Sequence, residues 1–106
     1  MEISQYNVYW IDLNPTLGSE ISKTRPCVVI SPDEMNRFLK TVIIAPVTHT
    51  IKNYPSRINC KIDGQAGSIM LDQLRTVDKI RITSKLGKLN TKEIVQLKTV
   101  INEMLC

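Results

Sequence analysis

The 106-residue chain contains one histidine, His49, and no D-x-D pair of acids. A single histidine cannot supply both the acid and the base of a two-histidine mechanism, and catalytic metals usually need two or more converging carboxylates. Asp63, Asp72 and Asp78 stand in separate stretches, so neither a metal site nor a cofactor is expected. No run of about 18 apolar residues occurs, which excludes a membrane-spanning helix. The first residues, Met1 to Asn7, lack a positive leader and an apolar core segment, so no signal peptide and a cytoplasmic location are expected. Cys27, Cys60 and Cys106 form no C-x-x-C pair or zinc-like cluster. They read as reduced thiols, two of them facing the core. Repeats, low-complexity tracts and linker-like composition shifts are also missing.

What remains is an ordinary globular composition, 42% apolar and 23% charged, of a length that suits one domain over residues 1–106. Charge is unevenly spread. Residues 1–35 carry net −3, whereas residues 36–106 carry twelve Lys and Arg against five acids, net +7. Such a basic stretch attracts polyanions, although a solvated basic surface explains the charge equally well.

Short strands dominate the pattern. Val8 to Leu13 is aromatic and branched, and ends at the Asn14-Pro15 turn. Residues 15–24 form a polar loop long enough to suggest a functional role. Val28 to Ile30 reads as a buried strand. In Ser31-Pro32-Asp33-Glu34, serine at the N-cap, proline at N1 and glutamate at N3 predict a capping box and a short helix to Phe38 or Leu39. Strands are expected over Thr41–Val47, with Pro46 near the end, over Ile58–Ile62 by alternation, and over Ser68–Leu71. Thr76–Val77 and Ile80–Ile82 give weaker strand signals. Asn90 as N-cap, Glu93 at N3 and a Leu89–Ile94 staple predict a terminal helix, with Ile94, Leu97, Ile101 and Met104 facing the core. The sum is a small curled barrel, mostly β with α (α+β).

If the basic face binds RNA, cleavage without a metal needs a proton acceptor for the 2′-hydroxyl, a donor for the leaving oxygen and a group to hold the charged phosphorane. Arginine suits the last task, because its guanidinium forks onto phosphate and stays charged. Arg25 precedes Pro26, which restricts its backbone to extended conformations. From spacing alone, however, Arg25 reads more simply as a surface arginine paired with Glu20 or Asp12. Thr48 is ordinary strand composition. His49 could carry a proton or lie idle on the surface. Tyr9, Trp10 and Tyr54 could stack on bases, though Trp10 fits the core better.

Three ordered blocks change the odds. Asp12-Leu13-Asn14-Pro15-Thr16-Leu17-Gly18-Ser19-Glu20, then Arg25-Pro26 and Val28-Val29-Ile30-Ser31, resembles the amino-terminal signature of MazF/PemK toxins. Pro46-Val47-Thr48 before a variable loop and Tyr54-Pro55 resembles the family's second block, and Asp72-Gln73-Leu74-Arg75-Thr76-Val77-Asp78 the third. The resemblance runs from about Val8 to the terminal helix. It implies a CcdB/MazF-type SH3-like barrel with a short helix after the second strand and a C-terminal helix, assembled as a homodimer. It implies a metal-independent, sequence-specific endoribonuclease (mRNA interferase) of a type II toxin–antitoxin system. Its chemistry is 2′-hydroxyl attack on single-stranded RNA, leaving a 2′,3′-cyclic phosphate and a 5′-hydroxyl.

Residue by residue, the resemblance makes Arg25 the proton donor and charge stabiliser, and Thr48 its partner on the phosphate. Ser19, Glu20, Lys23, His49, Asp72 and Gln73 become substrate contacts. A MazE-like antitoxin with an acidic tail in the RNA groove is the implied protein partner, which suits the basic charge of residues 36–106. Ser19 and Met70 stand where some PemK-like relatives carry a histidine and an arginine, so an Arg25/Thr48 mechanism is favoured over one centred on Asp72. Two alternatives share the barrel. A CcdB-like gyrase poison would end in Trp-Gly-Ile, whereas this chain ends Glu103-Met104-Leu105-Cys106. A catalytically silent RNA-binding module would cause no growth arrest that Arg25→Ala relieves.

Overall fold

The computed structural model describes residues 2–15, 17–20 and 23–106. Its elements follow as β1 (Asn7–Asp12), β2 (Thr24–Val29), α1 (Asp33–Phe38), β3 (Thr41–Thr48), β4 (Arg57–Ile62), β5 (Gln65–Met70), β6 (Arg75–Asp78), β7 (Ile82–Lys88) and α2 (Thr91–Leu105), with short 3-10 turns at Leu71–Gln73 and Lys79–Arg81. The strands form one antiparallel sheet in the order β4-β5-β3-β2-β1-β7, with β6 also beside β3. β3 is the hub. One edge pairs with β2 through Ile44–Pro46, while the other pairs with β6 over Thr41–Ile44 and with β5 at Val47 and Thr48. The change of partner falls at Pro46, whose ring has no N–H to give a ladder. The result is the expected mostly-β, α+β architecture, a curled sheet closed by a C-terminal helix.

Both faces of the central strands are apolar, so both must be covered. Val8, Val28, Ala45, Val47, Ile58, Ile69 and Leu97 belong to one core cluster, against which Ile94, Val100 and Ile101 of α2 pack. Tyr9, Ile11, Leu13, Cys27, Val29, Val42, Ile44 and Val77 form a second cluster on the opposite face. Removal of each Val, Leu or Ile side chain among them from water stabilises by roughly 1.5–3 kcal/mol.

α2 starts as its sequence predicts. The Asn90 side chain accepts from the Glu93 amide at 2.8 Å, and Glu93 returns a bond from the Asn90 amide at 2.9 Å. The second Glu93 carboxylate oxygen accepts the Lys61 amide at 2.8 Å, which ties the helix start to β4. Met104 does not face the core as expected. It stays 39% exposed one turn beyond Ile101, and Val100 takes the inward position.

Three further expectations need correction. Ser31 does not cap α1; Pro32 is the N-cap and no side-chain cap bond forms. The Ser31 hydroxyl is buried, donating to Asn36 at 2.6 Å and accepting the Ile43 amide at 3.0 Å, so it joins helix to strand instead. Trp10 is only half-buried and belongs to neither cluster. It lines a cleft of about 100 Å³ with Pro26 and His49, next to an irregularity in the β1–β7 pairing. Ile80 lies in the Lys79–Arg81 turn, and the strand there starts only at Ile82 and runs on to Lys88. β2 also begins earlier than its apolar run, at Thr24, because Tyr9 to Asp12 of β1 supply the partners for Thr24 to Cys27.

Candidate active site

Alternation brings two arginines and a threonine to one face. In β2, Arg25 shares its side with Cys27 and Val29; in β3, Thr48 shares its side with Ile44 and Pro46; in β6, Arg75 shares its side with Val77. All three therefore extend the second cluster at its rim. The β2–β3 ladder runs from Val29–Ile44 to Cys27–Pro46, and Arg25 and Thr48 each lie two residues past that last pair, on the same face as Cys27 and Pro46. Arg75 is paired with Ile44 on the far edge of β3. The Cys27 thiol reports on the gathering: burial pushes its pKa up to about 12, while the charges of Arg75 and Arg25 pull it down. Both guanidiniums thus act on the same buried thiol.

Thr48 is buried, and its hydroxyl oxygen accepts the Thr50 amide at 3.2 Å. That bond fixes the oxygen and leaves the hydroxyl proton as its means of meeting a ligand.

The loop before Arg25 is closed at its neck. The Leu13 amide donates to the Lys23 carbonyl at 3.0 Å, and the Lys23 amide to the Asn14 side chain at 3.2 Å. Lys23 adopts φ 73°, a left-handed conformation uncommon for a lysine, and these two bonds hold it there. Arg75 donates to the Leu13 carbonyl at 3.1 Å, and Arg81 to the carbonyls of Asp12, at 3.2 Å, and Asn14. Inside the loop, the Glu20 carboxylate accepts the Leu17 amide at 2.8 Å across the turn at Gly18. Residues 16, 21 and 22 of this loop lie outside the described residues.

Ser19 and Glu20 from the loop meet Asp72, Gln73, Leu74 and Arg75 around a cleft of about 300 Å³. Four of the residues expected from sequence, Ser19, Glu20, Asp72 and Gln73, thus line one cleft, while Lys23 sits in the loop neck with Leu13 and Asn14. Asp72 is not a free acid. Burial pushes its carboxyl pKa upward, but hydrogen bonds from Arg57, its own backbone and Ser56, with the Arg57 charge, outweigh that and hold it below the usual carboxylate value.

His49 is elsewhere. It lies in the bend just past β3, exposed, with Nδ1 3.4 Å from the Ala66 carbonyl oxygen, and lines the small cleft with Trp10, Pro26 and Val47. Tyr9 cannot stack on a base, because it is fully buried and its hydroxyl accepts the Ser4 amide at 3.0 Å. Tyr54 remains 49% exposed. Among the described residues, no three His, Cys, Asp or Glu side chains gather as metal ligands. Sequence reasoning gave no role to Arg57, to Arg81 or to Arg75, which it met only inside the third block; their partners lie 15 to 69 positions away.

Comparison with known proteins gives the family and the fold. Residues 4–105 match the model of the PemK-like, MazF-like toxins of type II toxin–antitoxin systems. The chain is 36% identical over 96 residues to endoribonuclease EndoA of Bacillus subtilis, covering 85% of this chain and 83% of that protein. The crystal structure of MazF from Deinococcus radiodurans superimposes with TM-score 0.88 at 22% identity, covering 99% and 97% of the two chains. A mycobacterial endoribonuclease in complex with its cognate antitoxin superimposes with TM-score 0.83 at 19% identity, covering 97% and 94%. The matched model spans nearly the whole chain, so this protein belongs to the PemK-like, MazF-like toxin family of type II toxin–antitoxin systems, alongside its endoribonuclease relatives.

Proposed function

We propose that this chain is a single-domain, sequence-specific endoribonuclease toxin that cuts single-stranded RNA without a metal, with Arg25 and Thr48 as its catalytic pair. The 2′-hydroxyl attacks the adjacent phosphorus and gives its proton to solvent water, the bond to the 5′-oxygen breaks, and water returns a proton to Arg25 afterwards; the products are a 2′,3′-cyclic phosphate and a 5′-hydroxyl. Arg25 stabilises the extra charge of the phosphorane and gives the leaving oxygen its proton. Thr48 donates its hydroxyl hydrogen to a phosphate oxygen. The observation that carries the assignment is the shared face of Arg25, Thr48 and Arg75 at the rim of the second cluster. Preorganised cations act most strongly in such a partly buried place, where little reorganisation is needed as charge develops.

Ser19, Glu20, Lys23, Asp72 and Gln73 contact the substrate around the cleft, with Asp72 as an acceptor for base or sugar donors and not as an acid. His49, in the small cleft with Trp10, takes no proton-transfer step and at most touches a distant part of the strand.

The protein works as a homodimer in the cytoplasm and is restrained by a MazE-like antitoxin whose acidic tail competes for the basic groove. The mycobacterial relative solved with its antitoxin supports that partner, and the net +7 of residues 36–106 supports an acidic competitor. Mapping the ends of transcripts cut in EDTA tests the chemistry. Cyclic phosphates and 5′-hydroxyls at one recurring motif are expected, and 5′-phosphates would refute the mechanism.

A further inference from the structure

Residues Lys52 to Asn59 form one wall of a groove of about 560 Å³, whose other wall is α2 at Val95, Gln96 and Thr99. Tyr54 stands on it, half open to solvent. An aromatic ring on such a loop would ordinarily swing freely, but this one is held. The Arg57 guanidinium carbon lies 4.9 Å from the ring centroid, and Lys52 Nζ lies 5.7 Å away. Arg57 is itself fixed, its side chain 11% exposed and its Nε 3.1 Å from Asp72. Asp72 in turn lines the cleft beneath the 15–24 loop. One ion pair is therefore the shared wall of two neighbouring depressions, the cleft beside Arg75 and the Tyr54 groove.

We propose that Tyr54 is the stacking platform of a second subsite that takes one unpaired base of the RNA flanking the cut site, with Lys52 meeting the phosphate of that nucleotide. The inference rests on the ribonuclease function proposed above and gives that site its next nucleotide position. A π face beside two cations is what an unpaired nucleotide requires, since any base can stack and its phosphate needs a positive partner. Glu103, the acid of this groove, lies on α2, so the phosphate belongs on the Lys52 side. Lys52 is exposed, so its long side chain can leave the ring for the phosphate as the base arrives. Because Arg57 already orders the ring, little conformational freedom is lost on binding.

The test uses the full chain and a fluorescein-labelled single-stranded RNA carrying the mapped motif, with a 2′-deoxy nucleotide at the cut so that it is bound but not cleaved. Tyr54→Ala is expected to weaken binding by about 5- to 150-fold, the loss of one base stack, while Tyr54→Phe stays within about twofold of wild type. Removing the base at one flanking position should cost wild type a similar factor and cost Tyr54→Ala nothing. Unchanged affinity in Tyr54→Ala, or an abasic penalty as large in that variant as in wild type, would overturn the subsite. A wild type that cuts RNA while Tyr54→Ala binds equally well fails the subsite alone; a wild type that neither binds nor cuts RNA fails the ribonuclease function as well.

Discussion

Arg57 grips Asp72 with both sides of its guanidinium, Nε to Oδ1 at 3.1 Å and Nη2 to Oδ2 at 3.3 Å, and Ser56 adds a bond to Oδ1 at 3.0 Å. An aspartate so held is a fixed acceptor. Its carboxyl pKa in the folded protein lies below the ordinary value, so the interaction stabilises the fold above about pH 4 and is lost as pH falls through the folded value. Wild type should exceed Asp72→Asn in urea stability at pH 7 by no more than about 1 kcal/mol, since the pair is partly solvated. That margin should shrink below about pH 4. A margin that grows in acid would contradict this account of Asp72.

The capping box of α2 gives a graded pair of effects. Asn90→Ala removes one accepted bond and is expected to cost about 1 kcal/mol. Glu93→Ala also strands the Lys61 amide, so it should cost more, about 2–3 kcal/mol. Equal losses in chemical denaturation would mean that the bridge to β4 contributes nothing.

Ser68 is fully buried opposite Thr48, and its hydroxyl is the buried side-chain group without a partner among the described residues. Ser68→Ala removes an unsatisfied polar atom and should raise stability by about 1 kcal/mol. A thermal melt showing clear destabilisation would reveal that this hydroxyl has a partner in solution.

The thiols should separate by burial. Burial pushes Cys60 up to about 12, with the Glu93 charge adding to the rise, and Cys27 reaches about 12 despite its two arginines. The thiolate is the reactive form. At pH 8 the native protein should therefore titrate one thiol quickly, exposed Cys106, and all three only in denaturant. Rapid reaction of a second thiol in native conditions would indicate that the Cys27 or Cys60 region opens readily.

Periodicity and caps revealed the elements whose causes are local. Asn90 and Glu93 announce α2, and the alternation of Ile58, Cys60 and Ile62 announces β4. β7 was legible only at Ile82, because Thr83, Ser84 and Lys85 are exposed and carry no apolar rhythm. Ser31 misled because a serine before proline and two acids has the pattern of a cap, while its hydroxyl has a long-range partner in Ile43. At the site, composition could exclude a histidine pair but could not choose among arginines. Family blocks singled out Arg25 and Thr48, and strand alternation then puts both on the face of the second cluster. Arg75 and Arg81 stayed hidden because the carbonyls they hold, at Asp12, Leu13 and Asn14, are more than 60 residues distant.

The most direct test of the central claim is cleavage of single-stranded RNA in EDTA by wild type and by Arg25→Ala, with melting curves for both. Wild type should cut at full rate. Arg25→Ala should melt within a few degrees of it and lose at least about 10²-fold in rate, the effect of removing a preorganised charge stabiliser. Cleavage that stops on chelation, or an Arg25→Ala protein that cuts like wild type, would contradict the account.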